Sequence, residues 1–339
     1  MPTFCRHNRF ESNCPICARE KAEANAPRGP GVRSSGGPVT RKRASTPRPS
    51  GRGGGLRVRR VERESDDGFR SPLVPGIKAS GDAERLAEEL AFASGRLATL
   101  ATDPPDLYGE LAREPDREEA AWLAFLIAYL GPLDGDDPFA GIRAARTTWA
   151  SGQLPDLTEI PLGPRTSHDP TRGTATLSAY RAWAERSGSQ SAALTGEAAW
   201  APERRFARVF ERLALQGLAR DARFDLLVTL GQLGFAEMRP AALQLGGADD
   251  TTVSAKRVFG IGDTLLLERR AADLAAAAEL PLAALDLGLW NWSRPIRPAQ
   301  PFRPGGPTNP GPVQRATLGV PDGEPDADAY ARAADALGL

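Results

Sequence analysis

Long hydrophobic runs are missing from this sequence of 339 residues. Because no stretch of about 18 consecutive apolar residues occurs, we expect no transmembrane helix and no membrane partner. The N-terminus lacks the apolar core of a signal peptide. Cysteine is scarce as well, and three cysteines cannot all pair within one chain, which argues against a secreted disulfide framework. We therefore expect a cytoplasmic protein, either free or associated with the nucleoid.

Strand patterns, in which polar and apolar residues alternate, are also scarce. Apolar residues instead recur at three- and four-residue spacing, as in Trp122, Phe125, Leu126 and Tyr129. Gly, Pro and capping residues between such stretches mark the ends of helices. The pattern predicts helices at about 80–103, 116–130, 138–149, 175–187, 202–216, 222–235, 251–258, 263–279, 282–292 and 326–337. The predicted fold class is therefore all-α.

Lysine is the third scarcity, with four lysines against 39 arginines. The net charge of zero hides a split, because residues 1–72 carry a balance of +9 and the remainder a balance of −9. Residues 21–79 are rich in Gly, Pro, Ser and Arg, which predicts a disordered basic linker. Such an arm either follows DNA phosphates or is a solvated linker whose arginines keep it soluble. A helical domain at 80–293, a Pro/Gly-rich extended segment at 294–325 and a short helix at 326–339 follow.

All three cysteines and one of the two histidines lie within residues 1–20, as Cys5-x-His7 and Cys14-Pro-Ile-Cys17. Zn²⁺ needs four such donors in a tetrahedron, and a Cys-x2-Cys turn presents two thiolates at once. Four protein ligands fill the coordination shell, so the predicted zinc knuckle is structural rather than catalytic. The alternative is a group of reduced surface thiols with an incidental histidine.

A glycine-flanked turn separates two predicted helices, at Lys256-Arg257-Val258-Phe259-Gly260-Ile261-Gly262. Two glycines around one apolar residue allow a tight turn, with Ile261 pointing inward. The next helix then offers its amide end, which can hold a DNA phosphate without reading sequence. The pattern therefore indicates a helix-hairpin-helix element, although most Gly-x-Gly sequences are ordinary turns.

Asp286 stands inside an apolar helical stretch, 282–292, which implies that its carboxylate is buried. A buried carboxylate is costly unless it is paired or functional. The functional interpretation makes Asp286 an electrostatic or general-base residue. The structural interpretation pairs it with an arginine or with a nearby backbone amide.

The second histidine lies in a predicted loop, 151–174, between Arg165 and Arg172. Arginines on such a loop are candidates for phosphate binding, and His168 beside Asp169 is a candidate general acid or base. Turn chemistry is the alternative, with Ser167 and Asp169 accepting from nearby amides. The pair Arg204-Arg205 either joins this site or faces solvent.

Several of these stretches together resemble a known family, the alpha-glutamyl/putrescinyl thymine pyrophosphorylases of clade 3, within the helix-hairpin-helix DNA glycosylase superfamily. The similar stretches are the Cys/His segment and residues 129–133, 138–142, 226–231, 256–263 and 285–292. The resemblance implies a glycosylase-like fold, a hairpin that grips the duplex backbone, and Asp286 as the residue that serves the chemistry.

That family is proposed to process hypermodified thymine in DNA, with an amino acid or a polyamine displacing pyrophosphate from a pyrophosphorylated 5-hydroxymethyluracil. One departure concerns strand-cutting relatives, which carry a lysine where this chain has Asp263, Thr264 and Leu265, so a Schiff-base mechanism is not expected. The leading hypothesis is a DNA-base-modifying enzyme. Two alternatives stay open: a non-catalytic DNA-binding protein, and an adaptor whose zinc knuckle docks a protein.

Overall fold

The computed structural model describes residues 64–294, 316–320 and 325–339. Within these ranges the fold is all-α, as predicted, and contains no strand. The α-helices are α1 (Ser80–Thr102), α2 (Asp106–Arg113), α3 (Arg117–Leu130), α4 (Ala140–Ala145), α5 (Ala175–Arg186), α6 (Gln190–Thr195), α7 (Pro202–Arg212), α8 (Arg220–Gln232), α9 (Asp250–Phe259), α10 (Thr264–Ala277), α11 (Leu282–Trp292) and α12 (Ala327–Leu337). None of the described helices combines the length and the apolarity that a membrane crossing requires.

The two most extensive contacts between helices join α1 to α11 and to α12. The approach of α11 to α1 is close at Gly288, where a Cβ atom would lie 2.8 Å from Cδ2 of Leu90. Helix α11 is buried from Ala283 to Trp292, which explains its nearly continuous apolar sequence. Asp286 is therefore enclosed because its helix is surrounded by protein on all sides.

A cluster of aromatic rings joins α3 to α5. The Phe125 and Tyr180 rings stack with centroids 3.6 Å apart, and Trp122 stacks on both. Every residue of α3 from Ala120 to Leu130 is buried, so the helix lies inside the domain rather than on its surface. Asp116 caps α3 by accepting from the amides of Glu118 and Glu119.

The predicted helices are confirmed in most places, with three differences. The predicted helix 138–149 is wrong at its end, since α4 stops at Ala145 and Trp149 lies in a turn. The predicted helix 202–216 is also too long, because α7 ends at Arg212. Two short helices, α2 and α6, were not predicted; α2 follows directly on Pro105, which serves as its N-cap position.

The predicted linker boundary at residue 79 is wrong, because the chain joins the folded domain earlier. Ser71, Val74, Ile77 and Ala79 are all buried. Similarly, part of the predicted extended segment 294–325 belongs to the core, since Ala316, Leu318 and Val320 are each at most 4% exposed. In both places a few apolar side chains, isolated among Pro and Gly, supply the burial.

Candidate functional site

Helices α9 and α10 meet at a corner formed by residues 260–263, which we call the glycine corner. Gly260 ends α9 in the left-handed conformation, with φ of 64°, which any other residue adopts at a cost. Gly260 and Gly262 are exposed, whereas Ile261 packs against the core, as predicted. The predicted turn is therefore present and open to solvent.

An open groove runs beside the glycine corner, and one wall comes from the N-terminal chain. The groove is lined by Gly76, Val253, Lys256, Arg257, Gly260, Ile261 and Gly262. The amide of Gly76 donates to the carbonyl of Val258 at 2.9 Å. A Cβ atom on Gly76 would lie only 1.9 Å from the carbonyl oxygen of Arg257, so the two backbones touch. Gly76 is thus fixed to the last turn of α9.

Charges of both signs surround the groove. Lys256 and Arg257 on the last turn of α9 line it, with partly buried side chains. Asp263 caps α10 instead, and its carboxylate accepts from the amide of Leu266 at 3.0 Å. That carboxylate already compensates the positive end of α10, so an anion in the groove would rely on the two cations.

Asp286 lies in a buried charge cluster with Arg165, Arg220, Asp221 and Asp225. Arg165 donates two hydrogen bonds to Asp225, both of 2.9 Å, and a third of 3.2 Å to Oδ2 of Asp286. Arg220 contacts Oδ1 of Asp286 and donates to Asp221 at 3.0 Å. The cluster joins the 151–174 loop, α8 and α11. The predicted pairing of Asp286 with an arginine is confirmed, with two partners.

The cluster holds three carboxylates and two guanidinium groups, so its formal charge is −1 when all are ionised. Burial raises the pKa of Asp286 to about 6; Arg220 and Arg165 oppose the rise, and Asp221 and Asp225 add to it. Burial also acts to raise the pKa of Asp221, but Arg165 and Arg220 hold it below its usual value. At Asp286 the effect of burial therefore outweighs that of the two arginines, whereas at Asp221 the arginines outweigh burial.

The loop residues fall into two groups. Arg165 belongs to the charge cluster, with a side chain that has no exposed surface. In the structure the Arg165 guanidinium binds the carboxylates of Asp225 and Asp286, whereas the sequence predicts that it binds phosphate. Arg172 lies apart, with about half of its side chain exposed and an ion pair to Asp169 at 3.3 Å. The predicted pair of phosphate-binding arginines is therefore not brought together.

His168 is buried against Tyr129, whose hydroxyl lies 2.9 Å from Nδ1 of the imidazole. Burial lowers the pKa of His168, and Asp169 opposes this shift. Asp169 accepts from the amide of Thr171, and Ser167 accepts from the amide of Ala219. The turn interpretation is thus confirmed for Asp169, while Ser167 ties the loop to the start of α8.

The Arg204-Arg205 pair splits between solvent and protein. Arg204 is exposed, whereas Arg205 is buried and donates to the carbonyl of Thr195 at 2.8 Å and to that of Glu237. Neither arginine joins the charge cluster. Sequence reasoning missed Arg220, Asp221 and Asp225, although Asp221 and Asp225 share one face of α8 at helical spacing.

Residues Cys5, His7, Cys14 and Cys17 lie outside the described residues. Within the described ranges no group of three or more His, Cys, Asp or Glu side chains is arranged to hold a metal ion. The chain matches no family model, no curated protein and no solved structure. The fold and the two features described above, the glycine corner and the buried charge cluster, are therefore the basis for any functional assignment.

Proposed function

We propose that this protein acts on DNA, with the groove beside the glycine corner contacting the duplex backbone. The observation that carries this proposal is the open corner, with exposed Gly260 and Gly262 next to Lys256 and Arg257. Backbone exposed at glycines lets a phosphate approach closely, and two cations supply the attraction. Gly76, beside this groove, follows in sequence the residues 1–72 that carry a balance of +9.

Salt-dependent binding of a 20-base-pair duplex, followed by fluorescence anisotropy, tests this proposal. The double variant Lys256→Ala/Arg257→Ala removes two cations from the groove. Each lost phosphate contact is expected to flatten the slope of log K against log salt by about 0.9. The double variant Arg204→Ala/Arg208→Ala removes two cations from exposed positions of α7 and is the matched control. Equal effects of the two double variants would contradict the proposal.

We further propose that the charge cluster performs base-directed chemistry of the kind the resemblance implies. The specific observation in favour is the pKa of Asp286, raised by burial to about 6, which suits a group that exchanges protons near neutral pH. An attacking amine would form a bond to the methylene carbon of the modified base. The carbon–oxygen bond to pyrophosphate would break, and the amine proton would pass to the Asp286 carboxylate.

The substrate class in this proposal is DNA that carries pyrophosphorylated 5-hydroxymethyluracil, with an amino acid or a polyamine as co-substrate. Release of pyrophosphate from such an oligonucleotide, with putrescine or glutamate added, is the assay. Asp286→Asn should abolish release while leaving duplex affinity unchanged. If Asp286→Asn retains full activity, the cluster is structural and the corner alone remains as a DNA-binding element.

We also propose that Cys5, His7, Cys14 and Cys17 bind one structural Zn²⁺.

A further inference from the structure

Two large apolar side chains at the start of α10 are open to solvent. Leu265 is 82% exposed and Leu266 is 45% exposed, whereas the next residue, Leu267, is buried. Among the described residues, the only other large apolar side chain that is exposed is that of Leu339. Exposed leucines that occur singly are normal on a protein surface, whereas adjacent ones are typical of a contact surface.

The exposed leucines belong to a face that runs along α10. The side of the helix that packs on the domain is buried, and the opposite side is exposed at Leu265, Arg269, Ala272, Asp273 and Ala276. We call these five residues the outer face of α10. Residues 265, 269, 272 and 276 follow one another at spacings of four, three and four, which is the spacing of residues in the seam of a coiled coil.

The outer face carries one positive and one negative side chain, and both are free. Arg269 and Asp273 lie one turn apart, at a spacing that allows an ion pair within a helix. Neither side chain forms an ion pair or a hydrogen bond with another described residue. By contrast, Glu268 and Arg270 on the same helix both hydrogen-bond to backbone elsewhere in the domain. The two charges of the outer face are therefore available to a partner.

The outer face is complementary to itself when the helix direction is reversed. If two α10 helices lie antiparallel about a two-fold axis, Leu265 of one copy faces Ala276 of the other, and Arg269 faces Ala272. A large side chain then meets a small one at each position, which lets the helices approach closely. In this arrangement Arg269 of each copy also lies next to Asp273 of the other, so the symmetry forms the same ion pair twice.

We propose that the outer face of α10 docks on the same face of a second copy of this chain, with the two helices antiparallel. The occupant is a second copy because one surface supplies the large, small, positive and negative groups that the contact requires. DNA fits this face less well, since the charges of Arg269 and Asp273 cancel and leave no net attraction for phosphate.

The size of the contact indicates a weak dimer. Helix α10 has 14 residues, which gives it a length of about 20 Å. One pair of such helices buries less than the ~800 Å² per partner that is typical of stable complexes. We therefore expect a dissociation constant of about 10–100 μM. The intact chain should change from monomer to dimer as its concentration rises through this range.

Sedimentation equilibrium of the intact chain, between about 5 and 500 μM, tests the proposal. Arg269→Asp and Asp273→Arg each place like charges at both symmetry-related contacts, so each should weaken association by about tenfold. An equimolar mixture of these two variants should associate again, because opposite charges then meet at both contacts. Arg204→Asp reverses one exposed charge on α7 and is the matched control, which should associate like the native protein.

The mixture decides between a second copy and other partners of the outer face. Recovery of the dimer in the mixture supports the proposal. A native protein that stays monomeric at every concentration overturns it, and so does a dimer that neither variant weakens or that the mixture does not restore. If the native chain is monomeric while Arg269→Asp lowers duplex affinity and Asp273→Arg raises it, the face contacts DNA instead. None of these outcomes depends on DNA binding at the glycine corner.

Discussion

Replacement of Asp286 by asparagine should change the pH dependence of stability in a defined direction. Burial raises the pKa of Asp286 to about 6, from 3.8 for the free side chain. The folded protein therefore keeps this proton between about pH 4 and 6, where the unfolded chain has lost it. Stability from this group is greatest at the acidic end of that window and declines as the pH rises toward 6. The asparagine side chain does not titrate in this range, so the Asp286→Asn variant lacks this decline.

The size of the effect follows from the shift of about two pKa units, which corresponds to about 3 kcal/mol in full. About 2 kcal/mol of this falls between pH 4.5 and pH 7. The Asp286→Asn variant should therefore gain about 2 kcal/mol relative to the native protein across that interval. The two arginines keep their own partners in the variant, Asp225 for Arg165 and Asp221 for Arg220.

Urea unfolding followed by far-UV circular dichroism, at several pH values in this interval, measures the difference. His168 has a lowered pKa and contributes with the opposite sign, but it is present in both proteins and cancels. Asp137→Asn, at an exposed position, controls for the substitution itself. A native protein that gains stability over the variant as the pH rises would refute the reasoning, because the arginines would then outweigh burial.

Three further outcomes are expected. Cys17→Ser should remove one Zn²⁺ per chain, measured by atomic emission, and leave the melting temperature of the helical domain unchanged, because the predicted linker separates the four ligands from that domain in sequence. Asp263→Asn should raise duplex affinity several-fold by anisotropy, since asparagine caps α10 equally well without the negative charge; unchanged affinity would place DNA elsewhere. Gly76→Ala should destabilise the protein by about 1–3 kcal/mol because its Cβ meets backbone, whereas Gly246→Ala, with open space around it, should have little effect in the same urea unfolding assay.

The helical fold could be predicted because the signal is local. Helices α3 and α11 show long apolar stretches with clear boundaries, and both occur where expected. Helices α2 and α6 were missed because they span only eight and six residues, too few for a periodic pattern to stand out. A proline between apolar stretches predicts the end of a helix, but proline also precedes helices, as Pro105 does at the start of α2.

The site was only partly predictable for a different reason. A lone carboxylate in an apolar helix is visible in sequence, and so is the need for a cationic partner. Which arginines pair with Asp286 depends on the tertiary fold, since Arg165 lies 121 residues away. The local sequence does not distinguish a buried arginine from an exposed one, as the neighbours Arg204 and Arg205 illustrate.

The attachment of residues 72–76 to the corner has a practical consequence for truncation of the chain. Arg270 donates to the carbonyl of Pro72 at 2.6 Å, and Gly76 lies on the backbone of α9. A shortened protein that begins at residue 80 would lose residues 72–76 and expose the core surface that Val74 and Ile77 cover. A protein that begins at residue 64 would keep these residues. Comparison of the stability of the two proteins would measure the contribution of this segment without that of the charged region before it.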